Sequence, residues 1–214
     1  MINLMYVVLM AMLAMNVSTQ VLDGFSIVDE SLQRTTDNAV LENKNIYSDF
    51  EAQMKSNPEK VREWFQKATE VKRMSDSLYN FAQELKVEIV READGADGDI
   101  HNIDRKEDLE AASQVMLAPG TGKGKKLFDA INSFRERILT MVADENQKKI
   151  IANNLTTKLP KNAKAMGKNW QEYMFEDMPV AAAVTLLTKL QSDVRYAEGE
   201  VLHTLVSNID MKDI

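Results

Sequence analysis

The chain has 214 residues, a formal net charge of −7, 28% charged residues and no cysteine. An acidic balance argues against a nucleic-acid partner, because phosphate binding draws on clustered Lys and Arg. The absence of Cys removes disulfides, thiolate metal sites and thiol nucleophiles together.

Residues 1–17 contain no charged side chain, and the first basic residue is Arg34. At ~1.5 Å per helical residue this stretch reaches ~25 Å, slightly short of the ~30 Å hydrocarbon core. It predicts a transmembrane helix over residues 1–19, incomplete at its N-terminal side. A secretory signal peptide or a buried helix are the competing readings. Ala11 and Ala14 followed by Asn16 imitate a cleavage site, but the charged n-region is missing. No Lys or Arg lies close enough to set orientation.

Residues 20–214 predict a helical bundle. Val21, Phe25, Val28, Leu32, Ala39, Ile46, Phe50 and Met54 fall mostly three, four or seven apart, so one stripe is expected to run on from the membrane segment as a continuous helix. Gly24 is its weak point and a candidate bend. Asn57-Pro58 ends it, and Pro58 suits the first turn of a second helix over 58–93 with a stripe from Val61 to Ile89. The acidic run Asp94 to Asp99 reads as a loop. A short helix is expected near 106–115, a flexible turn at 118–126, helices over 125–143 and 145–157, and irregular chain over 159–178. The last helix opens at Pro179, with Asp177 as a candidate cap, and runs to about residue 209. Strand alternation is absent, so the fold class is all-α: one transmembrane helix continuing into a helical bundle.

Motifs that could carry chemistry fail on detail. Gly120 to Lys126 has only three residues between Gly120 and Gly124, lacks the following hydroxyl residue and follows no strand, so it is no phosphate loop. Asp94 to Asp99 lacks the glutamate at loop position twelve that a calcium loop needs, since Arg105 stands there. His101 and His203 are far apart and read as surface or packing residues rather than metal ligands. No catalytic, cofactor or metal set is expected. Trp170 reads as a core residue.

The polar groups of the anchor are more informative. Asn3, Tyr6, Met10, Leu13 and Val17 share one helical face, and an unpaired amide or phenol in hydrocarbon is costly. Asn3 and Tyr6 therefore sit at an aqueous interface or line a protein contact, and Asn16 poses the same choice. Ala11, Ala14 and Ser18 supply a small-residue surface for helix association.

The opening residues from Met1 to Ser18, together with Asn169-Trp170-Gln171-Glu172, Pro179-Val180-Ala181-Ala182-Ala183, Leu190-Gln191-Ser192-Asp193-Val194-Arg195 and Ala197-Glu198, resemble the GldM/PorM family. These are inner-membrane motor components of the Bacteroidota type IX secretion and gliding machinery. The resemblance implies a single-pass inner-membrane protein with a periplasmic helical first domain, followed in the family by β-rich domains, and preceded by a basic segment. It implies a homodimer whose helices pass through a ring of the partner GldL. Proton flow there would drive the periplasmic part, which acts on the outer-membrane translocon. Tyr6 matches the family's membrane tyrosine, which makes Asn3, Tyr6, Met10 and Asn16 the expected coupling or ring-interface residues. A signal-anchored helical sensor domain, with a ligand pocket between helices, is the alternative.

Overall fold

The computed structural model describes residues 3–8 and 18–211. Beyond a short helical stretch at 3–8, the helices are α1 (Thr19–Ser56), α2 (Pro58–Asp94), α3 (Ala111–Leu117), α4 (Gly124–Leu139), α5 (Glu145–Asn154), α6 (Lys161–Ala165), α7 (Trp170–Phe175) and α8 (Val180–Met211). The all-α expectation holds among the described residues, where the one β feature is an isolated bridge between Asp99 and Asn102.

The three long helices form the frame. A two-helix hairpin arises because Asn57 leaves helical geometry and Pro58, which has no N–H to lose, starts α2. α8 packs against both α1 and α2. Thr185 Oγ1 donates to Phe25 O, while Asn43 and Tyr47 reach Glu198, so α1 and α8 ascend together. Ser75 meets Glu198 and Lys86 meets Gln191, so α2 descends between them. At ~1.5 Å per residue the 38 residues of α1 span ~57 Å.

The short helices α3, α4, α5 and α7 form a second layer over α2 and α8. Their shared core includes Met116, Leu127, Ile131, Phe134, Ile138 and Leu187. Trp170 is 7% exposed and packs between Phe128, tilted at 5.8 Å, and Phe175, edge-to-face at 6.0 Å, as its core reading required. Asn169 and Glu172 form a reciprocal capping box that starts α7 in a region expected to be irregular.

Three expectations change. Ser18 is extended (φ −64°, ψ 147°) and its hydroxyl accepts from Val21 N at 3.2 Å, so α1 starts at Thr19 and the helix does not run through Ser18 from the N-terminal segment. A serine hydroxyl competes for the amides of the first turn and favours the cap over the helix interior. Gly24, by contrast, lies inside an unbroken α1. The stretch 118–126 is a packed turn: Lys123 N donates to Val115 O, Lys123 pairs with Glu88, and a Cβ on Gly122 or Gly124 would lie 2.7 Å from Met116 O.

The third change concerns the buried face of α1. Val21 and Val28 are half exposed, and the buried column is Leu22, Asp29, Thr36, Asn43 and Phe50, spaced by seven. Phe25, Leu32, Ala39 and Ile46 flank it, half-buried.

A polar seam and an apolar cavity as candidate functional sites

The buried column of α1 places three polar side chains in the groove between α1, α2 and α8. Ser75 and Lys86 from α2 and Thr185, Thr188, Gln191 and Glu198 from α8 are buried with them. A buried polar group must find a partner, and this seam supplies most of its own.

Glu198, 2% exposed, is the hub. Its Oε1 accepts from Ser75 Oγ at 2.8 Å, Arg195 Nη1 at 3.2 Å and Asn43 Nδ2 at 3.4 Å, and its Oε2 accepts from Tyr47 OH at 2.6 Å. Arg195 also donates to Asp76 at 2.8 Å and lies 4.3 Å over the Tyr79 ring. Burial first, and then the Glu198 charge, hold the Tyr47 hydroxyl protonated far above its ordinary range. The network closes a cleft of about 360 Å³ between α1 and α2, bordered by Lys44, Tyr47 and Lys72.

One turn-pair away, Lys86 is 2% exposed and donates to Gln191 Oε1 at 3.0 Å. Gln191 spends its own amide protons on Tyr79 O and Gln83 Oε1. Desolvation pushes the Lys86 ammonium below its usual pKa, opposed by the charge of Asp29. Asp29 takes one bond from Gln33 at 2.7 Å and leaves Oδ1 buried without a partner.

A different chemistry lies in the second layer. Between α4, α5, α7 and α8 is a cavity of about 280 Å³ whose walls include Leu127, Trp170, Phe175, Leu187 and Leu190. Lys158, Lys189 and Asp193 also line it. Lys189 holds Asp193 at 2.6 and 2.7 Å, while burial raises the Asp193 carboxyl above its usual range.

Of the residues expected to act at the membrane, Asn3 and Tyr6 are helical and exposed. Leu4, Met5, Val7 and Val8 around Tyr6 are each more than half exposed, so no face of this stretch is covered by the chain. Met10, Ala11, Ala14 and Asn16 lie outside the described residues. Ser18, expected in helix packing, spends its hydroxyl on the cap of α1. Among the described residues no helix is long and apolar enough to cross a membrane. No group of three or more His, Asp or Glu side chains among them could hold a metal ion, and His101 and His203 are both exposed.

Sequence reasoning missed the seam because apolar periodicity passes over Asp29, Thr36 and Asn43. Their spacing of seven, in register with Leu22 and Phe50, was the available signal.

The family model described as the GldM N-terminal domain matches residues 20–208, from the first turn of α1 to the last turn of α8. Comparison with curated proteins found no match.

Proposed function

The chain belongs to the GldM family of gliding and type IX secretion components, and from that premise we propose that it is the membrane-embedded part of a motor driven by the proton motive force. In this reading residues 1–19 pass, as a dimer, through a ring of GldL in the inner membrane. Residues 20–214 stand in the periplasm and carry force towards the outer-membrane translocon. The observation that supports it best is the uncovered apolar stretch from Leu4 to Val8. Apolar residues exposed on every side of a helix call for lipid or protein around them.

Asn3 and Tyr6, with Met10 and Asn16, are the coupling residues of this proposal, and Ala11 and Ala14 the packing surface between helices. One charge crossing 100 mV releases ~2.3 kcal/mol, enough to bias contacts worth of order 1 kcal/mol each. Ser18 changes the mechanical part: with a capped start at Thr19, the long helix of the bundle is not one continuous shaft through Ser18.

The test is co-purification of the chain with GldL from membranes, followed by imaging. Two copies of residues 1–17 inside a GldL ring support the motor, and a lone dimer facing lipid all round overturns it. The sensor reading draws on the 360 Å³ cleft over Arg195 and Glu198; saturable binding of a small anion there, without GldL association, would favour it.

A further inference from the structure

We propose that the cavity beside Trp170 is a docking site for an acidic segment of a partner protein, which inserts an apolar side chain between α7 and α8. Two independent features converge there. The first is the cavity itself, about 280 Å³ and walled by Trp170, Leu187 and Leu190, which is close to the size at which small ligand pockets begin and holds roughly one or two side chains.

The second is charge. The chain carries −7 overall, yet from Thr156 to Gln171 it contains Lys158, Lys161, Lys164 and Lys168 and no acidic residue. This basic segment leaves the cavity lining at Lys158 and returns to it at Trp170, so it begins and ends at the cavity. Lys168 is answered by Glu176 at 3.7 Å. Lys158, Lys161 and Lys164 are exposed, and among the described residues no carboxylate pairs with them. Lys161 and Lys164 are three apart on α6 and share a face. Met166 beside them is 67% exposed.

The unpaired ammonium of Lys158 in the lining, with Lys161 and Lys164 following it along the chain, steers acidic segments in, and the apolar wall supplies the anchoring burial. A lipid surface fits less well, because membrane binding needs a face of projecting apolar side chains, whereas Met166 is the one large apolar side chain exposed in residues 156–171 and the rest of the apolar surface here is a recess. The inference does not depend on the GldL ring.

The experiment uses the 214-residue chain in nanodiscs of zwitterionic lipid and a fluorescein-labelled peptide, Asp-Glu-Asp-Leu-Phe-Glu-Asp-Glu, read by anisotropy. Saturable binding is expected. It should weaken at least tenfold when Lys158, Lys161 and Lys164 are changed together to Glu, and by a similar factor in Leu190→Trp, which fills the recess. A peptide with Gly-Ser replacing Leu-Phe should bind at least tenfold more weakly. The proposal is overturned by equal binding of both peptides, by binding indifferent to the lysine changes, or by binding to phosphatidylglycerol vesicles with none to the peptide. The lysine variant is exposed on all three positions, so it keeps the test decisive should Leu190→Trp fail to fold.

Discussion

Lys86 of α2 and Gln191 of α8 meet at 3.0 Å in the interior, a buried ammonium answered by a neutral amide. Desolvation makes the folded Lys86 easier to deprotonate than the unfolded one. The folded state then binds fewer protons, so stability rises with pH between the lowered folded pKa and the ordinary value of 10.5, and the cost is fully present below that window. Lys86→Met removes this pH dependence but leaves the buried Gln191 Oε1 without its donor, so it is expected to lower stability by about 1–3 kcal/mol at pH 10 and by less at pH 7, where the desolvation cost of the ammonium is removed as well. Urea unfolding at the two pH values checks the direction.

Glu198 is expected to be the costliest position in the seam. Glu198→Ala strips the acceptor from Asn43, Tyr47, Ser75 and Arg195 at once, and breaking a buried charge pair costs roughly 3–5 kcal/mol. Adding Arg195→Met should cost less than the sum of the two single changes, because the second removes the charge that the first left with Asp76 as its one carboxylate partner. A double-mutant cycle in urea reads the coupling.

Gly199 works through what it lacks. A Cβ there would sit 3.0 Å from Asn43 Oδ1, so the Asn43 side chain of α1 occupies the space that α8 leaves open at a position with no side chain. Gly199→Ala is expected to cost about 1–3 kcal/mol through overpacking, despite the better helix propensity of Ala. In the Asn43→Ala background that cost should largely disappear in thermal melts.

Ser18→Ala should cost about 1 kcal/mol of local stability in the first turn of α1, since Val21 N loses its acceptor. Hydrogen exchange is expected to quicken at Val21 and leave Phe50 unchanged. Ser18→Asp, which retains a capping oxygen, should restore the slow rate.

The long helices were legible from apolar spacing and from Asn57-Pro58, and apart from the start of α1, expected as a continuation of the N-terminal segment, their bounds differ from the expected ones by one or two residues. Trp170 was legible because a large aromatic in a domain of this size belongs inside. The face of α1 was not. Val21 and Val28 carry the apolar signal and are half exposed, while Asp29 is buried, within reach of the Lys86 charge on α2 and lining one recess with Thr185 of α8. Partner chemistry decides such positions, and one helix read alone does not contain it. The helix at Trp170–Phe175 was missed for a different reason: six residues are too short for periodicity, although Asn169 and Glu172 at cap spacing announced its start.

The parallel course of α1 and α8 has a mechanical meaning of its own. A pull applied at Thr19 and at Met211 acts on opposite ends of two helices lying side by side and ascending together. Such a pull loads the seam in shear, so the bonds of Thr185, Asn43 and Tyr47 across it must yield together instead of parting one after another as in a peeled hairpin. The polar contacts of the seam would in that geometry resist extension collectively, and the bundle would stiffen along its length.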